Sequence, residues 1–118
     1  MTIFEPKTLF GTVAAIPAKA EAHRALIAAA LADKPTLVKN LLHLSNDIRA
    51  TLEALCALGA SVETKDDAIL MHPIKNMPFE ATVDCGESGS TLRFLVPVIS
   101  SLVHGKSTVH VIDRKSVV

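Results

Sequence analysis

The stretch SNDIRATLEALCALG (residues 45–59) decides how the middle of this chain folds. Ser45 and Asn46 are residue types that cap the first turn of a helix, and the carboxylate of Asp47 suits the positive end of the helix. Apolar side chains then recur at helical spacing: Ile48, Leu52, Leu55 and Cys56. Gly59 is typical of the residue that follows a last helical turn. The stretch therefore predicts an amphipathic helix that ends just before this glycine.

Upstream of this helix, three segments have recognisable patterns. Thr8–Ile16 is predicted to be a strand that ends at Pro17. Ala20–Ala32 is rich in Ala and Leu without Gly or Pro, which predicts a helix. Thr36–Leu42 predicts a buried strand, although a lysine and an asparagine weaken the pattern.

Downstream, the pattern is again strand, helix and strand. Asp66-Asp67 forms a predicted hairpin turn between two strands, Ser61–Lys65 and Ala68–His72. A further strand (Ala81–Asp84), a helix (Ser90–Val103) and a last strand (Ser107–Ile112) follow. Pro97 lies inside that helix, which predicts a kink or a break. The whole order predicts an α/β fold in which a βαβαββ unit begins to recur.

Composition restricts the possible classes of function. The 118 residues suffice for one domain, and 12 acidic residues balance 12 basic ones, so nothing favours nucleic acid or an acidic membrane as a partner. The sequence lacks a signal peptide and any run of about 18 apolar residues. Cys56 and Cys85 form no metal or disulfide pattern, and the five histidines are scattered. A cytoplasmic protein without a metal is expected, with most of the histidines, His23 among the five, at the surface or in structural roles.

The first candidate site is the entrance of the helix that begins near Lys19. The amides of a helix N-terminus, together with Lys19 and Arg24, favour an anion such as phosphate or carboxylate. The two residues are five apart, so an ideal helix does not place them on one face, and Lys19 is expected to act from the preceding loop. Two solvated basic residues on an ordinary helix are the alternative.

The second candidate site is the turn from Asp84 to Arg93. Its two glycines let backbone amides approach a ligand, and Ser88, Ser90 and Thr91 can cap the next helix or bind an oxyanion. Glu87 opposes simple phosphate binding because its charge repels the ligand unless it is paired. A capped strand-to-helix turn without a ligand is an equal alternative. Cys85 as a nucleophile lacks an obvious partner.

Three segments together resemble the EPSP synthase family (3-phosphoshikimate 1-carboxyvinyltransferases). IPAKAEAHRAL (residues 16–26) is similar to the family's Pro-Gly/Ser-Lys-Ser…His-Arg-Ala-Leu segment. The helix from Ser45 to Ala60 is similar to its Ser-x-Asp-Ile…Leu-Gly-Ala segment, and residues 84–93 to its Asp-Cys-Gly-x-Ser-Gly-Thr-Thr-x-Arg segment. The segments occur in family order, and the resemblance covers about Leu9 to Ile112.

The resemblance implies a fold, an activity and roles for residues. The fold would be that of the enolpyruvyl transferases, two lobes of βαβαββ units, and the first strand here could belong to the second lobe. The activity would transfer the enolpyruvyl group of phosphoenolpyruvate to the 5-hydroxyl of shikimate 3-phosphate in chorismate and aromatic amino-acid biosynthesis. No metal or organic cofactor is implied, and a monomer is typical. Lys19 would contact both substrates, Arg24 shikimate 3-phosphate and Gly89 phosphoenolpyruvate, while Arg93 would steady the turn on the phosphoenolpyruvate side.

Three departures from the family pattern matter. Ala20 stands where the family has a serine that contacts shikimate 3-phosphate. If that contact is to a charged group, its absence costs about 1.5–3 kcal/mol of binding free energy. Glu87 replaces a frequent asparagine. The chain ends after about one and a half units, so the later catalytic acid, lysine and arginines are missing, and weak or no catalysis by this 118-residue chain alone is expected. The hexapeptide 113–118 can be encoded by a common sequencing-adapter stretch, which indicates a non-native tail.

Two rival interpretations remain open. One is the related enolpyruvyl transferase that acts on UDP-N-acetylglucosamine, which has Lys-Asn where this chain has Lys19-Ala20 and which lacks the His23-Arg24 pair. The other is a non-catalytic α/β module that binds a phosphorylated metabolite or a protein partner.

Overall fold

The computed structural model describes residues 1–41, 44–105 and 107–114. Over these residues the helices are α1 (Lys19–Ala30), α2 (Asn46–Ala57) and α3 (Gly89–Leu102). The strands are β1 (Thr36–Val38), β2 (Ser61–Lys65), β3 (Ala68–His72), β4 (Glu80–Asp84) and β5 (Thr108–Ile112). None of the described helices is both long and apolar enough to cross a membrane.

Helix α1 forms where Ala and Leu dominate the sequence. Its buried side chains recur at helical spacing: Ala22, His23, Leu26, Ala29 and Ala30. Lys19 is the first residue of this helix rather than part of the preceding loop, which corrects the expectation for it. Ala18, at the N-cap position, has no side chain that could accept a hydrogen bond from the first turn.

Helix α2 begins as the sequence predicts. The Ser45 hydroxyl oxygen accepts a hydrogen bond from the Ile48 amide at 3.3 Å. The buried face is Ile48, Thr51, Ala54 and Leu55, so it is rotated slightly from the predicted one, and Leu52 and Cys56 are only half-buried. Gly59 ends the helix with a φ of 114°, a conformation that suits glycine.

The predicted hairpin joins β2 to β3 in an antiparallel pair. Lys65 pairs with Ala68 across the two aspartates, and Asp66 has a positive φ of 44°. Strand β1 adds to the other side of β3, which gives the sheet order β1-β3-β2. The predicted strand Thr36–Leu42 stops at Val38 because Asn40 turns the chain with a φ of 63°. Leu42 lies outside the described residues.

Strands β4 and β5 are parallel, and α3 connects them. The helix is continuous through Pro97, so of the two predicted alternatives the break is wrong, and the kink stays a prediction. Thr91, Leu95 and Ile99 face the core, whereas Val96 and Pro97 are exposed, so one face of α3 is buried rather than most of it.

The strand predicted at Thr8–Ile16 does not form. No residue from 1 to 18 belongs to a strand, and none of the described strands pairs with this segment. A strand without a neighbour leaves its backbone groups unpaired, so an apolar pattern alone does not produce one. The described chain therefore has the α/β fold class that was predicted, but the first βαβαββ unit lacks its first strand.

The core lies between the three helices and the inner sheet faces. Leu26, Leu55, Leu58, Met71 and Leu95 are completely buried. Since Ala, Leu, Val and Ile supply most of this core, few aromatic side chains are needed to fill it. This packing holds the beginnings of α1, α2 and α3 close to one another.

Candidate functional site

The start of α1 carries the first predicted site residue. Because Ala18 provides no side-chain cap, the first amides of α1 have no side-chain acceptor there. The ammonium group of Lys19 forms an ion pair with the carboxylate of Asp47, in the first turn of α2. Both side chains remain partly exposed. The ion pair thus joins the beginnings of α1 and α2, and the neighbouring Ala20 is exposed beside it.

Arg24 lies one turn further along α1 and is exposed. Its guanidinium carbon is 5.7 Å from the centre of the Phe94 ring on α3, a cation–π distance. Phe94 follows Arg93 in the chain, so this contact brings the second predicted cation next to the first turns of α3. Arg93 itself is exposed.

The turn between β4 and α3 is built by short-range hydrogen bonds. The Gly86 amide donates to the Asp84 carboxylate at 2.9 Å, and the Ser88 amide donates to the Cys85 carbonyl at 3.0 Å. Gly86 has a φ of 55°, which favours glycine. The Ser88 hydroxyl oxygen caps α3 by accepting from the Thr91 amide at 3.1 Å. The predicted cap is therefore confirmed for Ser88.

Gly89 has a different reason for lacking a side chain. Its φ is not positive, so the backbone does not require glycine there. A Cβ atom added at Gly89 would meet nothing within 4 Å. The space in front of this residue is open, at the first turn of a helix whose amides favour an anion.

A buried chain of polar side chains connects these parts, and the sequence did not predict it. His23 Nδ1 lies 2.7 Å from the Thr51 hydroxyl, which lies 2.8 Å from the Thr91 hydroxyl. The Thr91 hydroxyl is also 2.7 Å from the Ser88 hydroxyl and 3.2 Å from the Asp47 carbonyl. His23, Thr51 and Thr91 are fully buried. Thr91 is therefore unavailable to a ligand, although its sequence position suggested an oxyanion contact.

The spacing of His23 and Thr51 in the sequence is a signal for this buried polar chain. His23 follows Lys19 by four residues and precedes Leu26 by three, and Thr51 follows Ile48 by three, which are the spacings of shared helix faces. The expectation of a surface or structural role for His23 is confirmed only for a structural position, since its exposed fraction is 0%. Burial lowers the pKa of His23, the charge of Asp47 opposes this shift, and the charge of Lys19 adds to it.

Two clefts border this region. One, of about 420 Å³, runs between the start of α2 and the turn before α3, and its lining includes Asp47, Arg49, Glu87, Ser88 and Arg114. Arg114 forms an ion pair with Asp84 at 2.8 Å. A larger cleft of about 700 Å³ lies between residues 14–18, α1 and the segment after β1. Neither lining contains any of the five predicted site residues, but the smaller cleft is lined by Asp47, the partner of Lys19, and by Ser88, the neighbour of Gly89. The smaller cleft is the one next to the candidate site.

Cys85 as a nucleophile and a metal site are the two remaining candidates for chemistry. Cys85 is fully buried, and burial raises the pKa of its thiol, which opposes formation of a thiolate. Among residues 1–41, 44–105 and 107–114, no three His, Cys, Asp or Glu side chains form a group that could hold a metal ion.

Contacts between helices therefore link Lys19 and Arg24 on α1, the start of α2, and the Ser88–Gly89 turn at the start of α3. The ion pair of Lys19, the ring contact of Arg24 and the hydrogen bonds of Thr91 each cross between helices. This arrangement of cations and helix amides can bind a small anion with several negative groups.

Comparison with known proteins gives a consistent result. The family model for EPSP synthase (3-phosphoshikimate 1-carboxyvinyltransferase) matches residues 3–110. The chain is 44% identical over 108 residues to a 3-phosphoshikimate 1-carboxyvinyltransferase of Clostridium botulinum, a match that covers 86% of this chain and 24% of the relative. It is 44% identical over 101 residues to the enzyme of the same name from Clostridium beijerinckii, covering 79% of this chain and 23% of that one.

Among solved structures, an EPSP synthase from Acinetobacter baumannii matches with a TM-score of 0.55 and 27% identity, covering 66% of this chain and 18% of that chain. The chain thus spans about a quarter of the length of the relatives that it matches. With a family model that matches nearly all of its residues, this chain belongs to the EPSP synthase family.

Proposed function

We propose that this chain provides part of the substrate site of an enzyme that transfers the enolpyruvyl group of phosphoenolpyruvate to the 5-hydroxyl of shikimate 3-phosphate. The contacts that link Lys19 and Arg24 on α1 to the starts of α2 and α3, together with the open face of Gly89, carry the proposal. Both substrates bear phosphate and carboxylate groups, which such a site favours.

In this proposal, Lys19 and Arg24 pair with the anionic groups of the substrates. Lys19 contacts both substrates and Arg24 contacts shikimate 3-phosphate. Asp47 holds the Lys19 ammonium in the absence of substrate, so an arriving anion must share or replace that ion pair. Lys19 is therefore positioned in advance, at the cost of competition from Asp47.

Gly89 and Arg93 belong to the phosphoenolpyruvate side. The open space before Gly89 lets a ligand approach the backbone of the first turn of α3. Arg93, in the same turn, adds a positive charge and is proposed to steady the turn around the ligand.

The missing hydroxyl at Ala20 gives a direct test. Ala20 is exposed beside Lys19, so a serine there introduces no clash with the core. We expect Ala20→Ser to strengthen binding of shikimate 3-phosphate about tenfold, since a hydrogen bond to a charged group contributes about 1.5–3 kcal/mol. Isothermal titration calorimetry measures this change. An unchanged or weaker affinity contradicts the proposed place of residue 20.

The cations are tested with matched lysine variants. Shikimate 3-phosphate, titrated into the 118-residue protein, is expected to bind weakly, with a Kd of about 1 mM, because one part of the site is present. Lys19→Met should abolish measurable binding. Lys65→Met, which removes the same charge from the exposed end of β2, should leave it unchanged. Equal effects of the two variants would mean that only net charge matters.

Catalysis by the 118-residue chain alone is expected to be weak or absent, because the catalytic acid, lysine and arginines that the family places later lie beyond this chain. Release of phosphate from the two substrates by the purified protein measures it, and substantial turnover contradicts the expectation. Binding of UDP-N-acetylglucosamine in place of shikimate 3-phosphate would favour the related transferase. Binding of shikimate 3-phosphate without turnover is the result that a fragment or a binding module would give.

We also propose that residues 1–112 are part of an enolpyruvyl transferase domain and that residues 113–118 are non-native. Arg114 contacts the turn through Asp84 and the Gly86 carbonyl, and residues 115–118 lie outside the described chain. Sequencing the gene from its source decides the matter. A genomic stop codon directly after Val118 would contradict the proposal.

A further inference from the structure

The buried polar chain from His23 to Ser88 lies between the two halves of the proposed site. His23 belongs to α1, which carries Lys19 and Arg24, whereas Ser88 caps α3, which begins with Gly89. Thr51, from the middle of α2, lies between them and contacts both sides at 2.7 and 2.8 Å. A continuous path of short hydrogen bonds therefore joins residues that are far apart in the sequence.

Packing alone does not explain these residue types. Valine has nearly the shape of threonine, and an apolar residue in a core needs no hydrogen-bond partner. A buried polar chain has a desolvation cost, which the hydrogen bonds between its members offset. The threonines fix the relative position of three helices more strictly than apolar contacts would, because hydrogen bonds restrict both distance and angle.

The unpaired nitrogen of His23 indicates which side chain donates in each hydrogen bond of the buried polar chain. His23 Nε2 is buried without a hydrogen-bond partner among the described residues. A buried N–H without an acceptor is rarer in proteins than an acceptor without a donor, so the proton belongs on Nδ1. The Nδ1–H group then donates to Thr51, and Thr51 donates to Thr91. The Thr91 hydroxyl has one proton, which goes to Ser88 at 2.7 Å, the nearer acceptor, rather than to the Asp47 carbonyl at 3.2 Å.

This direction has a consequence at Ser88. Its hydroxyl oxygen accepts from the Thr91 amide, and it is close enough to accept from the Thr91 hydroxyl as well. The chain of polar side chains therefore leaves the hydroxyl proton of Ser88 unused. Ser88 also lines the cleft beside the turn. Only 2% of the Ser88 surface is exposed, so this proton is left for an acceptor that enters the cleft and reaches it there.

We propose that His23, Thr51 and Thr91 are positioning residues. They hold the Lys19 end of α1 at a fixed position relative to the Ser88–Gly89 turn, and they leave the Ser88 hydroxyl as a donor to a bound anion. The proposal rests on the proposed function as far as it concerns shikimate 3-phosphate. The positions of the helices and the protonated nitrogen of His23 can be tested without any substrate.

Threonine variants separate positioning from folding stability. Thr51→Val and Thr91→Val should each weaken shikimate 3-phosphate binding at least fivefold, measured by calorimetry on the folded protein. Thr51→Ser and Thr91→Ser retain the hydroxyl and should restore the affinity to within twofold of the original. Thr64→Val, on the exposed face of β2, is the matched control and should have no effect. A valine variant that lowers the urea midpoint but binds normally would overturn the proposal.

Nuclear magnetic resonance gives a measurement without substrate. The ¹⁵N shifts of the His23 ring should identify Nδ1 as the protonated nitrogen, and Thr51→Ser should preserve this assignment. In Thr51→Val, the Gly89 amide signal should move, although residue 51 is not in the turn. A proton on Nε2, or an unmoved Gly89 signal, overturns the proposal.

The two hypotheses fail in different ways. If the unmodified protein does not bind shikimate 3-phosphate, the proposed function fails, while the ring shifts and the Gly89 signal still decide the positioning role. If it binds and the valine variants bind equally well, positioning fails and the proposed function stands. If Thr51→Val does not fold, His23→Asn, which can keep a donor near the position of Nδ1, should retain affinity, whereas His23→Leu should lose it.

Discussion

The imidazole of His23 is completely buried, and within the described chain only its Nδ1 atom has a hydrogen-bond partner. A neutral ring can satisfy this environment with one donor and one free lone pair. A charged ring has a second N–H group, which has no acceptor at that position. Protonation of His23 would therefore add a buried N–H group, without an acceptor among the described residues, to the same residue that donates to the chain of threonines.

Stability should depend on pH through His23. Burial lowers its pKa from the ordinary 6.5, so the unfolded chain takes up this proton before the folded chain does. The contribution of His23 to the free energy of unfolding is expected to be constant above about pH 6.5 and to fall as the pH decreases below it, by at most about 1.4 kcal/mol per pH unit. Urea unfolding between pH 7.5 and 5.5 measures the slope.

Two variants provide the controls for this pH dependence. His23→Asn removes the titrating group and should flatten the slope in that range. His104→Asn, at an exposed position after α3, should leave the slope as it is. A slope that survives in His23→Asn would assign the effect to another group.

At the level of elements, the end of α2 depends on close contact with the loop after β3. A Cβ atom at Gly59 would lie 2.8 Å from the backbone oxygen of Asn76, and the φ of Gly59 is 114°. Both the contact and the dihedral angle exclude a side chain there. The helix therefore ends where the chain can pass closest to its neighbour.

Gly59→Ala should destabilise the protein by about 2–4 kcal/mol, since backbone strain of about 1–3 kcal/mol is added to a clash with a backbone atom. Gly105→Ala is the matched comparison, because Gly105 also has a positive φ, 64°, but open space around it. It should cost only about 1–2 kcal/mol. Equal losses in urea unfolding would show that the contact with Asn76 adds nothing.

The elements that the sequence predicts well are those whose signals are local. The cap by Ser45, the Ala-rich stretch of α1 and the Asp66-Asp67 turn each act within a few residues, and the structure confirms all three elements. A strand ended earlier than predicted where a single residue has an unusual φ: β1 stops before Asn40. The strand at Thr8–Ile16 was wrong because a strand depends on a partner, which a local pattern does not reveal.

The sequence singles out the cations and glycines of the candidate site but not the hydrogen bonds that connect its parts. Lys19, Arg24 and Gly89 stand out by residue type near helix starts. The hydrogen bonds of Thr51 reach 28 residues back to His23 and 40 residues forward to Thr91, so no local pattern identifies them. The partners of a buried polar group are determined by tertiary packing, which a single sequence does not display.

At the level of the whole molecule, the N-terminal segment sets the shape. The radius of gyration is 17.3 Å, compared with about 13.5 Å for a compact domain of this length. Phe4 and Phe10 are exposed by 90% and 97%, together with Leu9, Val13 and Ile16. Residues 1–13 therefore contribute little to the core, whereas residues 14–18 line a cleft beside α1.

Phe10→Ser should leave the free energy of unfolding within about 0.5 kcal/mol of the original, because no burial is lost. Leu26→Ala, at a completely buried position, should cost about 2–5 kcal/mol. Phe4 and Phe10 changed together to Ser should also lower the binding of an apolar fluorescent dye. A large loss of stability in Phe10→Ser would mean that the segment packs against the rest of the chain in solution.

The pairing of Lys19 with Asp47 has a kinetic consequence. The electric fields of two opposite charges that are held next to each other largely cancel beyond about 10 Å. The protein as a whole also carries no net charge. An approaching phosphorylated metabolite would feel little long-range attraction, so its encounter rate should hardly change with ionic strength. Added salt should instead shorten the residence time of the metabolite, because the ammonium group becomes available only at contact.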